Sequence, residues 1–242
     1  MSSDFDGALF MATHGKKYIK AREALGEKVS LHAKDALAKM KELTFAKFDE
    51  TVNVNVNLGI DASKGDQVVR GAVLLPHGTG RKARVIVFAK GEYVDQAQAA
   101  GADAVGADDL IEKVLGGWME FEYAVATPDL MGAVGKLAKI LGPRGMLPNK
   151  KTGTVTFDVA PVVADLKKGQ VFFKTDKAGI VHSVIGKMSF GVDKLDSNLT
   201  ALLKAIIAAK PAGAKGKFLR KVTLSSTMGP GIPVVLEESL KV

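Results

Sequence analysis

A change of texture that occurs twice constrains this chain more than any other feature. Up to about residue 67, and again beyond residue 160, helical stripes alternate with extended runs, whereas the middle pairs short apolar runs with small-residue helical segments. Ends that share a pattern absent from the middle are most simply one unit interrupted by another. In the first part, Ser30 can cap a helix through Leu31, Ala36, Leu37, Met40 and Leu43. Residues 51–58 then read TVNVNVNL, the alternation of a strand with one buried face. Asn53, Asn55 and Asn57 share its other face, where amides serve solvent exposure or recognition, and 60–67 reads as a linker. From Val69, VVRGAVLL and RVIVFA precede DQAQAAG and DDLIEKVLGG, a pattern that predicts a compact α/β unit with a partly parallel sheet. FEYAVA at 121–126 continues it. A helical stripe of Leu130, Met131, Val134, Leu137, Ile140 and Leu141 follows, stopped by Gly142-Pro143, and the unit closes near 155–159. Pro161 stands in the first turn of a new helix. Beyond it we expect strands at 170–174, 180–185, 221–226 and 232–236 and a helix at 192–210. The fold expected is α/β and α+β, with a discontinuous α+β domain of residues 1–68 plus 160–242 and an inserted α/β domain of residues 69–159.

Charge follows the same division. The 242 residues carry a net +8, which points to a polyanionic partner, nucleic acid or an anionic membrane surface, although solubility alone would also account for it. Residues 69–159 hold 11 Lys and Arg against 10 Asp and Glu, and the remainder holds 23 against 16. The basic excess thus lies in the discontinuous domain, where a polyanion should bind. The absence of cysteine excludes disulfides and thiolate metal sites and agrees with a reducing compartment. MSSDFDGALF places acidic residues ahead of its apolar patch, unlike a secretory signal. ALLKAIIAA, from Ala201, is about half the roughly 20 residues a membrane span needs and contains Lys204. A soluble, cytoplasmic protein with no membrane partner is expected.

Catalytic patterns are missing. In PHGTGRKAR, residues 76–84, the glycine spacing fits neither a P-loop nor a dinucleotide fingerprint, and a strand follows where a helix is required. A basic hairpin turn between Leu75 and Val85 is the plainer reading. His14, His32, His77 and His182 show no metal-ligand spacing, and no GxSxG elbow occurs. No catalytic residue, metal or cofactor is assigned, and the protein is not expected to be an enzyme. The rival is a nucleotide- or phosphometabolite-binding enzyme using the α/β insert.

Three segments of the basic domain suit RNA. In AKFDETVNV, Lys47 can hold phosphate while Phe48 packs on a base or sugar, though a lone Phe before a strand also suits a core. FFKTDKAGIVH crowds Lys174, Asp176, Lys177 and Gly179 into a turn before His182, an arrangement that a solvated turn also explains. KVTLSSTMGPG runs from Lys221 along a strand ending in Ser225, Ser226 and Thr227 and breaking at Met228-Gly229-Pro230. Hydroxyls and freed backbone groups there suit 2′-hydroxyl and phosphate contacts, and turn chemistry alone would write the same residues. A second, weaker polyanion contact is Lys139, Arg144, Lys150 and Lys151 around the loop after Gly142-Pro143.

Together these residues resemble the universal large-subunit ribosomal protein of the lateral stalk, the L-one family, in its bacterial form. GKLAKILGPRGMLPNKKTGTV carries the resemblance most sharply. KFDETV with LGID, DQVVRG with LPHGTG, VVADLKKGQ, GAKGKFLRKV and STMGPG are similar to family segments in family order, from about Ala46 to Pro230. The resemblance implies a split RNA-binding domain, a Rossmann-like insert and a double hinge. It implies binding to large-subunit rRNA in the ribosome, assistance in releasing deacylated tRNA from the exit site, and repression of the protein's own mRNA. A monomer is expected off the ribosome. Family contacts carry over to Lys47, Phe48, Thr51, Asp176, Lys177, Gly179, Thr227, Met228 and Gly229. Asn53 stands where some relatives have a carboxylate, and Lys221 where some have serine.

Overall fold

The computed structural model describes residues 15–26, 30–62, 64–214 and 216–235. The acidic N-terminal leader and the Leu236 end of the last expected strand lie outside them.

The alternation of residues 51–58 becomes β1 (Thr51–Leu58), with Val52, Val54, Val56 and Leu58 buried and the three asparagines half-buried. An eight-residue strand buried on one face needs neighbours on both edges. β1 pairs antiparallel with β7 (Ile180–Lys187) and β8 (Leu219–Ser226), and β9 (Ile232–Val234) extends the sheet to the order β7-β1-β8-β9. Two helices cover the apolar face. α2 (Ala33–Glu42) offers Ala36, Leu37 and Met40, and α8 (Val192–Ala208) offers Leu195, Leu199, Leu202, Leu203 and Ile206 at helical spacing. Each such aliphatic side chain contributes about 1.5–3 kcal/mol when fully buried.

The start of α2 differs from expectation. Ser30 is not its cap, because Leu31 is drawn into extended pairing with the β9 segment: its N–H donates to the Pro233 carbonyl at 3.1 Å, and its carbonyl accepts from Val235 at 2.8 Å. The helix begins only after His32. α1 (Lys16–Leu25) precedes it and buries only Ala21, so it lacks the apolar stripe by which a sequence announces a helix.

In the middle, β3 (Val85–Phe88) lies between β4 (Ala104–Gly106) and β5 (Tyr123–Ala126) in a parallel sheet, with all four of its residues buried. α3 (Glu92–Ala99) and α4 (Asp108–Leu115) provide the crossovers, as parallel neighbours require. The stripe after Leu130 forms α5 (Met131–Val134) and α6 (Ala138–Leu141), joined by a tighter turn at Gly135–Leu137. Leu130, Val134, Leu137 and Leu141 are buried together across the break. α7 (Val159–Lys168) closes the other face of this sheet with Val159, Val163 and Leu166.

A third pairing links the two textures. β2 (Arg70–Leu74) runs antiparallel to β6 (Gln170–Lys174), from Arg70 opposite Lys174 to Leu74 opposite Gln170. Residues 76–84 are therefore no hairpin: β2 and β3 belong to different sheets, and this stretch crosses between them. Packing also changes hands away from residues 68/69 and 159/160. Val69, Leu75, Val171 and Phe173 join the core under the four-stranded sheet, whereas α7 joins the core of the parallel sheet. The outgoing and returning chains touch at Gly78 and Gly169. A Cβ on Gly169, whose φ is 106°, would lie 2.6 Å from the Gly78 Cα. Asn198 of α8, fully buried, holds the crossing by accepting from the His77 N–H at 3.0 Å and donating to the carbonyls of Gly78 at 3.0 Å and Ile185 at 2.8 Å.

Candidate nucleic-acid interface

The four-stranded sheet turns its second face outward, and its register decides which polar groups meet there. Asn53 stands between Val184 and Ser225, Asn55 between His182 and Thr223, and Asn57 between Ile180 and Lys221. Asn53, Asn55, His182, Ser183, Val184 and Ser225 line a shallow concavity on it. The face runs the length of β1, roughly 23 Å at the usual rise per residue, and the expected RNA residues gather at its two ends.

At the first end, the Thr227 hydroxyl accepts from the Thr51 N–H at 3.0 Å and donates to the Thr51 carbonyl at 3.3 Å, tying the end of β8 to the start of β1. The Thr51 hydroxyl accepts from Lys187 Nζ at 3.1 Å and Arg81 Nη2 at 3.5 Å, and Lys187 also donates to the Asp49 carbonyl. Asp49 fixes the preceding bend by accepting from the N–H and hydroxyl of Ser189 at 3.1 and 2.8 Å. That bend presents Phe48 at 55% exposure beside exposed Lys47, while Met228 stands at 50% exposure beyond Thr227. Phe48 is therefore no core residue. The Gly229 N–H donates to Ser226 Oγ at 3.0 Å, and a Cβ at Gly229 would lie 2.5 Å from that oxygen, so a larger residue would have to turn the Ser226 hydroxyl out of this bond. Two apolar side chains held outward among cations and hydroxyls suit a nucleobase or ribose surface.

At the other end, Asp176 organises the turn between β6 and β7. Its Oδ1 accepts from the N–H groups of Ala178 at 2.9 Å and Ile180 at 2.8 Å, and Gly179 follows with φ 75° against Leu58 and Ile60. Its Oδ2 lies 3.3 Å from His182 Nε2, and His182 Nδ1 lies 2.8 Å from Asn55 Oδ1. The Ile180 N–H above all, with His182 and the Ala178 N–H, holds the Asp176 carboxyl below the usual aspartate range. Asp176 thus shapes the turn, leaving Lys177 and, across β1, Lys221 exposed. Lys47, Lys177 and Lys221 have no ion pair among the described residues.

The remaining expected residues lie apart. Lys174 lines a cleft of about 440 Å³ with Arg70, Tyr123, Phe172 and the loop Gly142 to Thr154, and none of its lining residues is on the four-stranded sheet. Lys139, Arg144, Lys150 and Lys151 are exposed on or beside that loop. Lys187 and Arg81 escaped sequence reading. Lys187 shows its place only through its register opposite Thr51, and Arg81 sits in the stretch expected to be a hairpin turn. Among the described residues no three His, Asp or Glu are grouped as a metal ion would need, and no helix is long and apolar enough to cross a membrane. The model of the Ribosomal protein L1p/L10e family matches residues 39–230, which contain both ends of this face.

Proposed function

We propose that this chain, which belongs to the ribosomal protein L1p/L10e family, docks on RNA through the outward face of its four-stranded sheet. A protein of this family is a structural constituent of the large ribosomal subunit and binds its rRNA. The finer reading is that it sits on a helical junction of the lateral stalk, assists release of deacylated tRNA from the exit site and represses translation of its own mRNA. One observation carries the placement of the site: exposed Phe48 and Met228 flank the locked Thr51–Thr227 pair, with Lys187 and Arg81 converging on the Thr51 hydroxyl. Phe48, Thr227 and Met228 meet RNA closely, and Lys47, Lys177 and Lys221 meet phosphates. Asn53, on the face between the two ends, presents its amide to the RNA. Packing supports a two-part organisation in which an α/β insert leaves and returns through the β2–β6 ribbon.

A filter-binding titration against a stalk-rRNA fragment tests this. Affinity should fall steeply with salt, as release of counterions from several phosphates demands. Met228→Ala should weaken binding by about 1–3 kcal/mol with little change in melting temperature, because the side chain is half exposed. Binding that ignores salt, or a Met228→Ala variant equal to wild type, would remove the site from this end of the sheet.

A further inference from the structure

Glu50 sits between Asp49 and the first residue of β1. It is 1% exposed, and neither of its carboxylate oxygens has a hydrogen-bond partner among the described residues. It joins no ion pair there either. Burying a carboxylate without a partner is among the costliest arrangements a fold tolerates, and it calls for an explanation. Glu50 also lines a shallow, open cavity of about 430 Å³ with Lys41, Thr44, the exposed Phe48, Asp49, Met188 and Ser189. Its neighbour Asp49 is already occupied by Ser189.

We infer that Glu50 is a specificity-determining residue whose carboxylate, covered in the free protein, is uncovered when a guanine base displaces the side chains over it beside Phe48, and then accepts hydrogen bonds from the donor edge of that base. The inference rests on the RNA-binding reading above and deepens it. An ionised carboxylate only accepts, so its partner must bring donors. Guanine is the common base with two adjacent donors, N1–H and the N2 amino group, on its Watson–Crick edge, and they match the two oxygens of a carboxylate. Adenine and cytosine set a ring acceptor beside their amino group, and uracil sets carbonyls on both sides of its imino group, so each would turn a lone pair toward Glu50. Unstacked RNA bases are read along this edge while an aromatic ring packs on their face. The sign of the effect is distinctive. Removing a negative charge from a surface that meets a polyanion should tighten binding if charge were all that mattered; loss of a base contact should weaken it.

The experiment uses the full chain and a stalk-rRNA fragment in which guanosines are replaced one at a time by inosine, which keeps N1–H and lacks the amino group. For the wild type, inosine at one guanosine should weaken binding about 5- to 100-fold. Glu50→Gln should weaken binding of the unmodified fragment by a similar factor with no change in salt dependence, and the penalty for inosine at that position should disappear in this variant. Three results would overturn the inference: no guanosine sensitive to inosine, Glu50→Gln binding as tightly as wild type or more so, or an inosine penalty undiminished in the variant. A fourth would do the same: Lys41→Ala lowering the melting temperature of the wild type but not of Glu50→Gln, which would make Lys41 the partner of Glu50. The inosine series on wild-type protein needs no variant to fold. Wild-type affinity for the unmodified fragment reports separately on the RNA-binding reading.

Discussion

Replacing Asn198 by alanine should destabilise the fold far more than a single polar residue ordinarily does. Its side chain, 0% exposed on α8, satisfies three backbone groups: the His77 N–H, the Gly78 carbonyl and the Ile185 carbonyl, at 3.0, 3.0 and 2.8 Å. The first two lie in the partly accessible crossing after β2, where water can replace the amide, so each loses about 0.5–1.5 kcal/mol. The Ile185 carbonyl, buried on the outermost strand β7 where the pairing with β1 skips this residue, is left orphaned, at about 1–3 kcal/mol. The sum is about 2–6 kcal/mol, a large share of the roughly 5–15 kcal/mol that holds a domain together. Asn198→Asp should cost more, because it keeps the acceptor for His77 but aims a buried negative charge at two carbonyl oxygens. Urea unfolding of the three proteins at neutral pH measures this through the midpoint, at unchanged slope. A loss under about 0.5 kcal/mol for the alanine variant, or an aspartate variant as stable as the alanine one, would refute the claim that Asn198 pins the crossing.

Asp176 predicts a pH dependence at the far turn. Its folded-state pKa lies below its ordinary 3.8, so the stabilisation is fully present above that ordinary value and is lost as pH falls through the depressed one. Protection of the Ala178 and Ile180 amides, taken relative to their intrinsic exchange rates, should hold at neutral pH and fall in acid below the usual aspartate range, and protection indifferent to acid would contradict the assignment. A second variant tests the split. Leu74 and Gln170 pair directly across the ribbon, and the first core draws no residue from 76–169. Replacing 76–169 by a short turn, with Asn198→Leu to remove the stranded amide, should give a protein that folds and keeps most of its salt-dependent rRNA affinity. Full loss of that affinity in a folded variant would place the site on the insert.

Much of the architecture was legible wherever burial imposes a period. TVNVNVNL could only be a strand with one wet face, and β1 matches it residue for residue; QVFFK likewise became β6, while VIVF, buried throughout, read as a continuous apolar run. Misreadings arose where a distant partner outweighs local chemistry. Leu31 pairs with the β9 segment and displaces the helix start that Ser30 signalled, and the glycine-rich stretch after Leu75 crosses between sheets because β2 finds its partner about a hundred residues later. The candidate RNA face shows the same division. Lys47, Phe48, Thr227 and Met228 stood out as residue types beside strand ends, but that they gather at one end of β1 follows from the register of β7 and β8.

The amino-acid sequence by itself determined the residue classes of each strand and helix, the basic balance that calls for a polyanion, and the motifs by which the family is identified. Only the tertiary structure decided that Lys187 and Arg81 converge on Thr51, that Asn198 holds the crossing, and that Glu50 is buried without a partner among the described residues. Periodicity is a property of neighbouring residues, whereas these contacts join positions that only strand pairing and helix packing bring within hydrogen-bonding distance.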